Sequence, residues 1–460
     1  MTECNGLPLE FSSLGRKSFV ADFEGGDLTS DGGLALLREV DRKIGLIDAL
    51  DAAIRDPRFQ PLVEHDQRAL LAQRIFAISA GYEDLNDHQN LRKDTLLQTL
   101  TDRKLKSHQK PEDPLSSPST LCRLENRVTR ADLVSMSKVL VEMFIASHDT
   151  PPEELVLDFD ATDDPIHGNQ EGRFFHGYYD EYCFLPLYVT CGQQLLVAYL
   201  RPANIDGAKH SRAILKLLVT HFRQVWPNVK IVFRADSGFC RWRMMRWCDR
   251  HGVDYLIGLA KNEVLNRLAR HAMITAHWQY RSTGQKQRLF EEFDYAAKTW
   301  DHKRRVIAKA EHSDQGENPR FVVTTLAGDA QGLYDDLYCQ RGDAENRIKE
   351  QQLGLFADRT SCHAFLANQF RVLLSATAYV LVETLRRVGL AGTELATAQA
   401  GTIRLKLLKI GGRIVRSARR IVVHLASAFP LAQVLRTVLA NLRLWQAQPP
   451  AGKEAPMPSS

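Results

Sequence analysis

A chain of 460 residues, 44% hydrophobic and 25% charged, is long enough for roughly two to four domains with a sizeable core, and its composition excludes a disordered or fibrous polypeptide. No run approaches the ~18 uncharged apolar residues of a membrane span, and the opening MTECNGLPLEF lacks a basic-then-apolar leader pattern. Eight scattered cysteines with no C-x-x-C pair fit reduced thiols in a cytoplasm better than disulfides or a structural zinc site. The formal net charge of +5 is unevenly spread: residues 1–150 carry −5, residues 151–375 carry +1 and residues 376–460 carry +9. A basic end is a weak pointer to nucleic acid, because surplus Lys and Arg often form only a solvated face.

Residues 28–145 read mainly as helices, and 1–150 is expected to be a helical N-terminal region. LTSDGGLALLREVDRKIGLIDAL offers Ser30 or Asp31 as an N-cap ahead of an apolar 3–4 pattern. DQRALLAQRIFAISAGY is a second amphipathic stretch that Gly81 stops. HQKPEDPLSSPS reads as a loop, STLCRLENRVTRADLVSMSKVLVEMFIAS resumes the helices, and HDTPPEEL is a linker.

The pattern changes at residue 155. LVLDFDAT, CFLPLYVTCG and LLVAYLRPAN are three short strands. A helix (GAKHSRAILKLLVTHFRQVWP), the strand IVFRAD, a helix over 241–251 and the strand VDYLIGLAKN follow. This order predicts a mixed sheet covered by helices in residues 151–375. Residues 262–320 break the rhythm with strand-like alternation and many basic residues, so an inserted, mostly β subdomain is expected there. RFVVTTLAG returns to a strand. AQGLYDDLYCQRGDAENRIKEQQLG is a helix with Gly342 as its weak point, and FLANQFRVLLSATAYVLVETLRRVG is a long apolar helix. In 376–460, TIRLKLLKIGGRIVRSARRIVVHLASAF reads as short strands around Gly411-Gly412, then a helix from about 430, then a disordered tail.

Within this frame, several acids stand where chemistry would need them. Asp158 and Asp160 lie two apart on the first strand and face one side of it. Asp236 ends a later apolar strand, and a carboxylate there is costly to bury unpaired. Arg341, Glu345 and Lys349 recur every four residues on a helix, with Tyr338 three before Arg341, which makes one helical stripe. Attack on a phosphodiester needs an activated hydroxyl and relief of charge at the leaving oxygen, and two divalent ions about 4 Å apart supply both. Mg²⁺ prefers a few carboxylates plus water and substrate oxygens, a need that two strand-end aspartates and one helical glutamate meet. Taken singly, Asp236 also reads as a cap for the next helix, and Glu345 as a solvated partner of Arg341 and Lys349.

Jointly, these residues resemble the DDE transposases of bacterial insertion sequences. The family's first Asp sits in a D-x-T strand, matched by Asp160-Ala161-Thr162. Its second lies on a fourth strand, matched by RADSGF with Asp236, and its Glu lies in a Tyr-x2-Arg-x3-Glu-x6-Lys helix, matched by Tyr338, Arg341 and Glu345. The final Lys position holds Gln352, with a Lys earlier at Lys349. LTSDGGLALLREVD, GYEDLNDHQNLRKD, SPSTLCRLEN, FHGYYDEYCFLPLYV and LLKIGGRIVRSARR look like one insertion-sequence subfamily across most of the chain.

The resemblance implies a ribonuclease H-like catalytic domain with an inserted β subdomain. It implies Asp160, Asp236 and Glu345 as catalytic ligands of two Mg²⁺ ions, with Mn²⁺ as a substitute. The helical N-terminal region would bind terminal inverted repeats, and the 376–460 region would contact DNA or a second subunit. The partners would be element ends and target DNA, joined by a homodimer in the bacterial cytoplasm at the nucleoid. The rival readings are a metal-dependent nuclease that does not rejoin DNA and an inactive DNA-binding protein.

Other residues carry two readings each. Arg341 contacts a phosphate or pairs with Glu345, Lys349 is expected to contact DNA, and Tyr338 packs. Trp300, among basic residues, stacks a flipped base, as the resemblance suggests, or packs in a core. His176 and His210 are structural. Arg123 and Arg127 share one face of a helix that reads DNA or packs in a bundle. Arg404, Lys406, Lys409, Arg413, Arg416, Arg419 and Arg420 form an acid-free run, in which Arg413, Arg416 and Arg420 are the expected backbone contacts on DNA.

Overall fold

The structure is a computed structural model that describes residues 8–447. The tail and the first seven residues lie outside them. The chain divides into two compact units, one of Met1–Val139, Gly354–Phe356 and Thr377–Ser460, the other of Leu140–Leu353 and Ala357–Ala376.

The first unit is helical around Leu34–Ile44, Leu46–Ala53, Gln67–Ala80, Thr95–Leu100 and Pro118–Arg127. Ordinary end signals set these helices. Asp66 and Asp94 accept from Ala69 N and Leu97 N at two N-termini, and Gly81 ends Gln67–Ala80 in a left-handed conformation with φ 99°. Gln67–Ala80 is buried almost all round, so it is the core helix of this unit.

The helical expectation for residues 1–150 needs one correction. An exposed hairpin, Leu9–Leu14 with Lys17–Ala21, precedes the helices, and Leu28–Thr29 pairs with Gly412–Arg416, which in turn pairs with Ile421–Leu425. Strand pairing across nearly four hundred residues leaves no local signature.

A second correction falls at 400–410. TIRLKLLKI alternates like a strand but forms helical turns over Ala400–Ile403 and Arg404–Leu408. Leu407 and Leu408 are buried there, and the carbonyls of Leu408 and Ile410 receive the turn that holds Gly33: Gly33 N donates to Leu408 O at 3.0 Å and Gly32 N to Ile410 O at 2.8 Å. A Cβ on Gly33 would stand 1.9 Å from Leu407 O, so only glycine lets the two backbones meet.

The second unit is built on a nine-stranded sheet. Its strands are β1 (Glu154–Ala161), β2 (Leu187–Cys191), β3 (Gln194–Tyr199), β4 (Lys230–Ala235), β5 (Asp254–Leu259), β6 (Gln287–Tyr295), β7 (Arg304–Ser313), β8 (Gly316–Glu317) and β9 (Arg320–Thr324). The order is β6-β7-β9-β5-β4-β1-β2-β3, with β8 on β7. β4 is parallel to both β1 and β5, and β2 is antiparallel to β1. The parallel pairs need crossovers, which α1 (Ser211–Val225) and α2 (Trp242–His251) supply. Leu157, Phe159, Val189, Ile231, Phe233, Tyr255 and Ile257 form the sheet's share of one core, against Leu215, Leu218, Phe222, Met245 and Cys248 of the two helices.

Residues 262–320 also differ from the expected inserted β subdomain. They begin with helices, Glu263–Leu268 and α3 (Arg270–Thr283), and their strands β6, β7 and β8 extend the main sheet. HWQYRST, with its strand-like alternation, is instead the end of α3, which packs on β7 through Ala272 and Met273 against Ala310.

The long apolar helix is present as Phe365–Thr384. Continued to Gly389 it is long and apolar enough to cross a membrane, but 83% of that window is buried inside the protein, which marks it as a core helix.

Candidate active site

The register between β1 and β4 builds the site. Arg234 pairs with Asp158 and Ala235 with Phe159, so the next step along both strands sets Asp236 beside Asp160. Residues two apart share a face, which puts Asp158, Asp160, Arg234 and Asp236 on one side of the sheet. The apolar residues between them, Phe159 and Ala235, face the core.

The two aspartates on β1 then separate by partner. Asp158 is buried, and Arg234 Nε and Nη2 donate to its two oxygens at 2.5 and 2.7 Å. The same guanidinium donates through Nη1 to Leu337 O. Asp160 sits one pleat further out. Its carboxylate receives Arg341 Nη1 at 3.3 Å and its own neighbour Ala161 N at 2.9 Å.

Glu345 comes from α4 (Arg341–Lys349), a helix that begins after a break at Cys339-Gln340 rather than at Gly342. Arg341 Nη2 donates to Glu345 Oε1 at 2.6 Å, so one guanidinium bridges Asp160 and Glu345. Tyr338, one turn earlier, is held by a gap in β5. A Cβ on Gly258 would stand 2.5 Å from Tyr338 Oη and 2.8 Å from Ser237 N.

The electrostatics follow from three carboxylates sharing one cation. Burial pushes the Asp160 carboxyl up to about 7; Arg341 pulls it down, while the Asp236 and Glu345 charges push it further up. Burial likewise raises Tyr338, with Asp236 reinforcing and Arg341 opposing. Arg341 is raised: burial opposes its charge, but Asp160 and Glu345 more than offset that. Asp236 caps the short turn Ser237–Phe239 by accepting from Gly238 N at 2.8 Å, rather than the next helix α2.

The other sequence candidates fall as follows. Lys349 is exposed at the far end of α4. Gln352, where the family pattern has Lys, donates to Asp163 O at 2.8 Å. Trp300 is half-buried against the main core, edge-on to Tyr295 at 5.4 Å with Arg304 over its face. Arg127 pairs with Asp56 and donates to Gln67, whereas Arg123 is exposed. His176 lies in a small strand, Phe174–His176, and His210 precedes α1 at φ 71°.

In the first unit Arg404 donates to Ser79 O and Gly354 O, and Lys409 pairs with Asp31 at 2.7 Å, while Arg404–Leu408 is a helical turn and not a strand. Arg413 and Arg420 are exposed. Arg416 donates to Thr95 O, Thr99 Oγ1 and Pro111 O. The sequence reading passed over the Arg234–Asp158 pair. Its signal was the parity of Arg234 with Asp236 on one strand.

Residues 11–447 match the family described as transposase DDE domain group 1. The chain belongs to that family. No curated protein sequence matches the chain. Among solved structures, a piggyBac transposase synaptic complex with hairpin DNA is similar at 10% identity and a TM-score of 0.41, over 90% of this chain and 85% of that one.

Proposed function

We propose that this family member is a DNA transposase that cuts and rejoins the ends of an insertion sequence on a ribonuclease H-like core. The observation that carries the reading is Arg341 bridging Asp160 and Glu345 next to Asp236 at the end of the adjacent strand, with Asp160 pushed up to about 7 by burial against that one guanidinium. The strand arrangement supports the core assignment: the second Asp follows the fourth strand, which runs parallel to the first.

The donor set fits the divalent ions that the family implies. Three acidic side chains with one arginine leave an excess of negative charge, and all-oxygen donors with few protein ligands suit Mg²⁺, or Mn²⁺ in its place. Asp160, Asp236 and Glu345 would hold two such ions, which would activate the attacking hydroxyl and neutralise the leaving oxygen. Arg341 keeps Asp160 and Glu345 in place and has donors to turn toward a phosphate when their charge is taken up otherwise. Arg234 fixes the backbone of Leu337, just ahead of Tyr338 and Arg341.

The DNA partners are the element's terminal repeats and its target, and a homodimer would pair two ends. Asp160→Asn, Asp236→Asn and Glu345→Gln should each abolish Mg²⁺-dependent cleavage of end DNA while leaving binding to it intact. Substantial cleavage by any one variant removes that residue from the site. Cleavage by the wild type with no joined product selects a nuclease instead.

A further inference from the structure

A second group of ligating side chains lies outside the acidic site, in α3, β7 and β8 of the same unit. One ligand atom from each of His277, His312 and Glu317 lies within 4.8 Å of the other two. We propose that these three residues bind a transition-metal ion, Zn²⁺ by the chemistry of the donors, which fastens α3 to the β7-β8 edge.

The local sequence explains why they meet. Ala272, Met273 and Ala276 are the buried face of α3, and Ala272 and Met273 pack on Ala310 of β7. His277 follows Met273 by four residues and continues that stripe. His312 follows Ala310 by two and continues the strand's matching face, while Glu311 turns to the other face and is held by Lys286 and Lys309. Glu317 stands directly across from His312 in the β7-β8 pairing. The apolar contact between helix and sheet therefore ends in two imidazoles and a carboxylate.

Two details separate a binding site from mere packing. His312 is only 8% exposed, and its Nδ1 is buried with no hydrogen-bond partner. An orphaned ring nitrogen costs stability unless something takes its lone pair or its proton. The His277 ring meets His312 edge-on, with centroids 4.6 Å apart and planes at 83°. Two ligand atoms bound to one tetrahedral zinc at 2.0–2.1 Å stand roughly 3.3 Å apart, so a modest inward turn of these side chains closes the site. Imidazole nitrogens with one carboxylate favour Zn²⁺, whereas the all-carboxylate acidic site favours Mg²⁺. Three protein ligands leave a fourth position for water.

The test uses the full chain without an affinity tag, stripped of metal and held in millimolar Mg²⁺. Titration with Zn²⁺, and with Co²⁺ read by its visible absorption, should show one tightly held ion per chain in a tetrahedral nitrogen–oxygen environment. Asp160→Asn with Asp236→Asn should keep that ion. His277→Gln with His312→Gln should lose affinity by more than the roughly 10–100-fold that losing an outer partner of a metal site costs. Glu317→Gln, an exposed change that leaves the fold intact, should weaken binding and shift the Co²⁺ spectrum. The proposal is overturned if the wild type takes up no Zn²⁺, if the ion disappears with the acidic-site variant, or if Glu317→Gln binds as the wild type does.

Discussion

Asp160 holds two opposed demands in one carboxyl. Its pKa rises from 3.8 to about 7 because it is buried beside Asp236 and Glu345. The folded protein therefore keeps a proton on Asp160 between those two pH values that the unfolded chain has lost. Stability from this group is greatest at low pH and falls as pH rises through about 7. A net shift of three units, in which the pull of Arg341 is already contained, converts to at most about 4 kcal/mol. Asp160→Asn should thus raise stability at pH 8 by about 2 kcal/mol, and the gain should fade by pH 5. Thermal melts of both proteins at the two pH values check it, and a variant less stable at pH 8 sinks the idea. Arg341 sets the same balance from the other side. Arg341→Met removes the group that holds Asp160 down, so the acid limb of the cleavage pH profile should move up by about one unit. An unmoved limb would mean that another residue's proton controls the rate.

At the scale of elements, β1 and β4 are joined by a buried ion pair as well as by their ladder. Arg234→Leu leaves Asp158 buried and uncompensated, and should cost about 3–5 kcal/mol. Arg234→Leu with Asp158→Leu should recover most of that stability in denaturant melts. The double variant should still cleave poorly, because Leu337 loses the donor that fixes the approach to Tyr338 and Arg341. Equal cleavage by the double variant and the wild type would make the pair purely structural.

These strands also mark what the sequence discloses. The alternation around Asp158–Asp160 and the run ending at Asp236 were legible because period-2 burial needs only neighbours in sequence. So was the Arg341-Glu345 pair, which depends on spacing within α4, whereas Tyr338 lies ahead of the break at Cys339-Gln340. β6 and β7 were legible as strands, but not as extensions of the main sheet, because strand order is a property of distant pairings. His277, His312 and Glu317 come from three elements and share no short motif, so spacing alone carries no sign of them.

At the scale of the molecule, the first unit is closed by segments far apart in sequence, Leu28–Thr29 on Gly412–Arg416 and Gly33 on Leu408. Gly33 admits the backbone of Leu407, so Gly33→Ala should prevent soluble folding of that unit, whereas Gly45→Ala should not, since nothing lies within 4 Å of its added Cβ and the cost is only its φ of 67°. The same joining sorts the basic run by role. The excess of +9 in residues 376–460 has to be tolerated against self-repulsion or answered by a polyanion. Arg404, Lys409 and Arg416 are already engaged by carbonyls and by Asp31, which leaves Lys406, Arg413, Arg419 and Arg420, all exposed, with Arg413 and Arg420 the two among them expected as backbone contacts. Contacts of that kind carry no sequence information but release condensed counterions. Arg413→Gln with Arg420→Gln should weaken binding to end DNA and to random duplex alike, and the slope of log K against log salt should become shallower by about 0.9 for each contact, about 1.8 in all. Arg416→Gln should instead lower the melting temperature and leave the slope of the folded fraction unchanged, because its guanidinium serves Thr95, Thr99 and Pro111. A steep, unaltered slope in the Arg413 and Arg420 double variant would take the DNA path off this hairpin and return the basic excess to solvent or to a protein partner.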